Sequence, residues 1–233
     1  MRRIRKGPAP PELERWKRDN AHLSVGWGDL PGDVKRAWRA CLFTEQGHTC
    51  AYCSARVDDD PLRHHIDHLP PRSRTPRADH FDHGNVVVSC EGREGRGAET
   101  RRKGGHCGGA RGNSALPVTP LDDDCEECFA YHSDGAIEAA GSLTQGQRAD
   151  STIHLLKLDD KLLTVRRREA IREALDLVQA SGQALASGIE HYGRPDQQGR
   201  LPHFGFIAAS VLRRMAGIAG GSPASCSLDP HGG

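Results

Sequence analysis

The chain has 233 residues, with 32 Lys and Arg against 31 Asp and Glu, so a net charge of +1 gives no reason by itself to expect a polyanionic partner. Charged residues make up 27% and apolar residues 36%, a balance that excludes a disordered chain and fits a globular one. Aromatic residues are only 5%, which argues against a stacking platform for single strands.

Residues 1–32 read as an extended N-terminal arm. Pro8, Pro10, Pro11 and Pro31 alternate there with Gly7, Gly26 and Gly28, and one short helix is expected near Leu13 to Lys17. The charged start has no apolar run behind it, so it does not read as a signal peptide. No stretch approaches the ~20 apolar residues of a membrane span. A cytoplasmic location is expected, and in a reducing compartment the 8 cysteines read as metal ligands or free thiols. A helix is predicted from Asp33 to Glu45, with Asp33 as its cap, Val34, Trp38, Cys41 and Leu42 at helical spacing, and Gly47 at its end. Residues 33–140 read as the core region, and residues 48–116 within it carry nearly all the Cys and His chemistry. Within the core region "NVVVS" reads as a strand, Glu91 to Gly109 as a Gly- and Arg-rich loop, and Asp134-Gly135 as a hairpin turn. Residues 141–217 read as a helical region, with its last helix from Phe204 to Met215. Residues 218–233 form a Gly-, Ser- and Pro-rich tail expected to be disordered.

Cys50 and Cys53 form a CxxC knuckle, a spacing at which two thiolates reach one tetrahedral ion. Two pairs can complete the set. Spacing favours Cys125 and Cys128, a second CxxC. Placement favours Cys90 and Cys107, because a cysteine at the end of a strand and another after a loop would clamp both ends of the histidine-rich segment. The second set is preferred, and a structural zinc there would stabilise a segment with few apolar residues.

That segment contains "HIDH", His65 to His68. Asp67 offers a hard oxygen to a divalent cation, and His68 offers an imidazole able to take a proton from water near neutral pH. Neighbours on an extended segment point to opposite sides, so a second element must bend such a site into shape. Asn85 can fix backbone or imidazole by hydrogen bonds. His64 reads as solvent-facing, and His80 and His83 as a surface loop.

"CAYC", "HIDHLPPRS", "HGNVVVSC" and "HCGGARGN", in this order, resemble the HNH endonuclease motif. The resemblance implies an α+β fold with a ββα-metal, treble-clef-like zinc-bound core, flanked by N- and C-terminal helices. "MRRIRKGPAPPEL", "LPVTPLDDDCEECFAYHSDGAI" and "STIHLLKLDDKLLTVRRR" are similar to the HNH family that includes the nuclease subunit of Septu anti-phage systems and retron-associated relatives. That resemblance implies DNA as substrate, an SMC/ABC-like ATPase as partner and a role in defence, and it strengthens the preference for Cys90 and Cys107. By position His68 is the implied general base and Asp67 a ligand of a catalytic Mg²⁺ or Mn²⁺. His65 is a second ligand or a phosphate-orienting group, and Asn85 is architectural. The chain departs from the pattern at Gly108, where a metal-binding His or Asn is usual, and at Arg111, where a lysine is usual. The missing ligand is left to His106 or Asn113, to a water, or to nothing. Arg72, Arg74, Arg101, Arg102, Lys103 and Arg111 are the expected phosphate contacts. A zinc-stabilised module without catalysis is the alternative reading.

Overall fold

The computed structural model describes residues 1–58, 63–92, 105–181 and 185–218. Among them the architecture is mixed α+β, with seven α-helices around two small two-stranded antiparallel sheets. Arg101, Arg102 and Lys103 lie outside the described residues, as does the tail from residue 219 onward.

Helix α1 (Pro11–Asp19) opens on a proline, which is tolerated in a first turn because its missing N–H has no helical acceptor anyway. Met1, Ile4 and Leu13 are buried in the same core as Trp38, Tyr52 and Val86. Helix α2 (Gly32–Gln46) begins one residue earlier than predicted. Pro31 holds its N-cap position, and Asp33 lies in the first turn, where its charge faces the positive end of the helix dipole. Gly47, at φ 60°, ends the helix in the left-handed conformation that glycine adopts without strain.

Strand β1 (His64–His68) pairs with β2 (Val86–Cys90), His64 opposite Cys90 and His68 opposite Val86. The regular register keeps the alternation of faces, so His65 and Asp67 share one face while His64, Ile66 and His68 share the other. Gln46, buried at the end of α2, donates to the Val88 carbonyl at 2.9 Å and accepts from the Val88 N–H at 2.7 Å. One side chain thereby satisfies both backbone groups of a strand edge. The short helix α3 (Gly108–Arg111) packs on the face of His65 and Asp67. Its amide at Gly108 donates to Ser89 Oγ at 2.9 Å.

Strands β3 (Phe129–Tyr131) and β4 (Ile137–Ala139) form the expected hairpin. Gly135 turns it at φ 86°, and a Cβ there would sit 2.1 Å from the Thr164 carbonyl oxygen. Helices α4 (Leu143–Leu156), α5 (Lys161–Ser181), α6 (Leu185–Gly193) and α7 (Gly205–Met215) follow. The buried Arg167 of α5 donates to the carbonyls of Gly135 and Leu158, each at 2.8 Å, and so joins the hairpin to the helices. The helical region closes back on the cysteine knuckle. Leu201 N–H donates to Gly47 at 2.9 Å, Phe204 N–H to Ser54 at 3.0 Å, and Cys107 N–H to Leu156 of α4 at 2.7 Å. Among the described residues no helix is long and apolar enough to cross a membrane.

Candidate metal centre and histidine site

The sulfurs of Cys50, Cys53, Cys90 and Cys107 all lie within 4.8 Å of one another. Cys53 and Cys90 are 3.7 Å apart, close to the ~3.8 Å edge of a tetrahedron with metal–sulfur bonds of about 2.3 Å. Three different elements supply the set: the turn after α2, the end of β2 and the residue before α3. Burial opposes ionisation of Cys50, but hydrogen bonds from the thiols of Cys107, Cys53 and Cys90 outweigh it and hold Cys50 well below its ordinary range. A site that already gathers three donors around one thiolate has the chemistry to hold a soft dication such as zinc. Of the two sets left open by spacing, the structure brings together the one favoured by placement. Cys125 and Cys128 are buried elsewhere. Burial pushes the Cys125 thiol up to about 12, and the Cys128 thiol donates to the Asp124 carbonyl at 3.4 Å.

Cys41, Glu45 and His83 also approach one another, but their chemistry is already satisfied. Lys6 Nζ sits 2.6 Å from Glu45 Oε2. His83 accepts from Trp38 Nε1–H through Nδ1 and donates to Glu45 Oε1 through Nε2, each at 2.8 Å. His83 is thus a buried structural residue, not part of a surface loop. His64 corrects in the same direction: it is only 2% exposed and meets Phe43 edge to face, with 4.9 Å between centroids.

The face of β1 that carries Asp67 is occupied by charge pairing. Asp67 Oδ2 accepts from Tyr52 Oη–H at 2.6 Å and from Arg111 Nη1 at 2.8 Å. Arg111, expected at a phosphate, is instead only 3% exposed. Its remaining donors reach Tyr52 Oη at 3.0 Å and the carbonyls of His68 at 2.7 Å, Leu69 at 2.6 Å and Ser114 at 2.7 Å.

His68, the implied base, faces the other way. Its Nε2 lies 3.0 Å from the His80 carbonyl oxygen. A carbonyl only accepts, so Nε2 carries the proton and Nδ1 keeps its lone pair. Trp27 meets the ring edge to face at 4.9 Å between centroids. Burial lowers the His68 pKa to about 4, and the positive charge of Arg72 adds to the shift, while the His80 carbonyl and Asp67 oppose it. Arg72 and Arg74 are exposed. The Arg72 guanidinium and Lys35 Nζ lie 5.2 and 5.4 Å from the centre of the Trp27 ring.

Asp67 and His68 therefore do not converge on one site, because β1 stays regular and nothing bends it. The other implied ligands are dispersed as well. His65 Nδ1 pairs with Glu91 Oε1 at 2.8 Å. Burial opposes protonation of His65, but Glu91 and the charge of Asp67 raise its pKa above the ordinary value. His106 sits at the cysteines, with Nδ1 3.1 Å from Cys107 Sγ, and Asn113 is exposed. Asn85 is architectural: its amide donates to Asp82 Oδ2, and its carbonyl accepts from Leu69 N–H at 2.9 Å. Gly108 is closely packed: a Cβ there would lie 2.5 Å from His65 Nε2, so the ring would have to move. Among the described residues no group of three metal-ligating side chains includes Asp67 or His65.

Sequence reasoning missed Tyr52, Trp27, Ser89 and Glu91. Tyr52 stands inside the CAYC knuckle, where a large side chain between two ligands was a usable signal. Trp27 carried none, because it reaches His68 only through the tertiary fold. No protein-family model matches the chain, and a search of curated proteins finds no match.

Proposed function

We propose that the protein is an HNH-type endonuclease that hydrolyses DNA phosphodiester bonds, working in an anti-phage defence complex beside an SMC/ABC-like ATPase subunit. The supporting geometry is a β1–β2–α3 unit clasped by four cysteines, which suits a ββα-metal, treble-clef-like finger with zinc in a structural role. The observation that carries the reading is His68. Its tautomer is fixed by the His80 carbonyl, which leaves Nδ1 as the proton acceptor, and it lies near the exposed Arg72. In this reading a water molecule passes its proton to His68 Nδ1 as its oxygen attacks phosphorus, the bond from phosphorus to the bridging sugar oxygen breaks, and that leaving oxygen takes a proton from solvent. Lys35, Arg72 and Arg74 offset charge on the phosphate.

The zinc-stabilised, non-catalytic module remains the second reading, favoured by the Arg111–Asp67 pair and by Gly108. One experiment separates the two. The protein is co-expressed with the product of the neighbouring gene, and plasmid DNA is incubated with the purified complex, with and without ATP, in Mg²⁺ or Mn²⁺. The nuclease reading expects cleavage that His68→Ala abolishes while zinc content and circular dichroism stay unchanged. DNA retention without cleavage supports the binding module. An active, folded His68→Ala protein removes His68 from the role of base.

A further inference from the structure

We infer that the guanidinium of Arg111 takes the place of a divalent cation at Asp67, so that Asp67 serves as a fixed anion of the fold and not as a metal ligand. This inference concerns the carboxylate itself and does not depend on the nuclease reading.

A guanidinium has five N–H donors and no acceptor. In Arg111 they meet five oxygens: the Asp67 carboxylate, the Tyr52 hydroxyl, and the carbonyls of His68, Leu69 and Ser114. A hard cation gathers oxygens around itself in the same way. The guanidinium does so permanently, because its charge cannot be removed at accessible pH. Tyr52 closes the arrangement, accepting from Arg111 and donating to the same carboxylate oxygen, Oδ2.

Space and charge exclude a second cation. Arg111 and Asp67 side chains are 1% and 13% exposed, so a metal ion would have to enter a nearly closed site beside a fixed positive charge. A third ligand at residue 108 would collide with His65 and Ser89, whose Nε2 and Oγ lie 2.5 and 2.9 Å from a Cβ placed there. His65, the other implied ligand, is paired with Glu91.

The arrangement also makes Arg111 a positioning residue. Two of its bonds hold the carbonyls of His68 and Leu69, so the guanidinium fixes the backbone that carries the His68 ring. It links α3 to the end of β1, which a metal shared between strand and helix would otherwise do.

The test uses the zinc-loaded full chain and two measurements. The first follows Mn²⁺ binding by the electron-spin resonance of the free ion, for the wild type and for Asp67→Asn. We expect no Mn²⁺ site in the wild type that Asp67→Asn removes. One stoichiometric Mn²⁺ lost in a folded Asp67→Asn protein overturns the inference. The second needs no variant to be stable under titration. The Arg111 Nε–H resonance of the wild type, identified by its absence from Arg111→Lys, should stay protected from solvent exchange and unbroadened as Mn²⁺ is added. Selective broadening of that resonance at stoichiometric Mn²⁺ places the ion at Asp67 and overturns the inference by itself.

Discussion

The two faces of β1 place chemically identical groups in opposite states. On the α3 side, His65 stands between Glu91 and Asp67, and its protonated form is favoured. On the other side, three residues along, His68 lies under Trp27 and is held neutral. The difference comes from the partners each face meets. The α3 face gathers charges that compensate one another: Asp67 with Arg111, His65 with Glu91. The opposite face offers aromatic rings and a carbonyl, which accept a neutral imidazole and penalise a charged one. A histidine-rich pentapeptide is therefore no single catalytic cluster. It is a strand whose pleat divides it between an ionic layer and an aromatic one.

The largest effect that could break this contrast is loss of the metal that the four cysteines could hold. Without an ion the four cysteines must hold the turn after α2, the end of β2 and the start of α3 together by thiol contacts alone. Structural zinc contributes about 10–16 kcal/mol in small zinc-dependent units. Cys50→Ser or Cys107→Ser is expected to abolish the stoichiometric zinc and lose the β1–β2–α3 structure, read by metal analysis and by amide exchange of Val87 and Val88. Cys125→Ser should keep its zinc. Full zinc in both Cys90→Ser and Cys107→Ser moves the centre away from this cluster.

The next effect sharpens the ionic face alone. Gly108→Ala puts a methyl carbon 2.5 Å from His65 Nε2 and 2.9 Å from Ser89 Oγ. Overpacking of this kind costs about 1–3 kcal/mol. Urea denaturation should show that loss, and His65→Ala in the same chain should recover part of it, because the imidazole is the movable neighbour. An equal penalty with and without His65 would mean that the clash lies with the buried Ser89.

The contrast was only partly legible in the sequence. Knuckle, strand, hairpin and last helix were readable, because CxxC spacing, a β-branched run, Asp-Gly and helical periodicity are local signals. The choice of Cys90 and Cys107 was also readable, from their positions at the ends of a strand and a loop. The alternation of faces in "HHIDH" was also readable, but not what each face meets: His64 is buried and not solvent-facing, and no second element brings Asp67 and His68 together. That depends on long-range partners: Arg111 is 44 residues beyond Asp67 in the chain, and Trp27 is far upstream of His68. Arg111 was expected at a phosphate, yet burial and five acceptors make it internal. Gly108 read as a missing ligand, and only the position of the His65 ring shows that a side chain there would have to displace it.

The smallest effect is the most specific to the comparison, since it sets the two histidines against each other as pH changes. The folded pKa of His68 is about 4 against an ordinary 6.5. A base with a depressed folded pKa binds fewer protons folded than unfolded within that window. Its contribution to stability is therefore complete above about pH 6.5 and is lost as pH falls toward 4. Between pH 7.5 and 5.5 this amounts to about 1 kcal/mol. His65 has the opposite sign: with a raised folded pKa, its contribution is present below the unfolded value and fades as pH rises through the folded one. The wild-type stability curve therefore mixes two opposed slopes, and each must be isolated by difference. Denaturation of wild type and His68→Gln across this range should show the wild type losing about 1 kcal/mol relative to the variant on acidification, and wild type against His65→Gln should show the reverse trend. Imidazole ¹⁵N shifts report the same contrast directly, with His68 still neutral and protonated only at Nε2 at pH 5.5. If both rings titrate together near pH 6.5, the strand does not separate an ionic layer from an aromatic one, and the assignment of His68 as a pre-set neutral base falls with that separation.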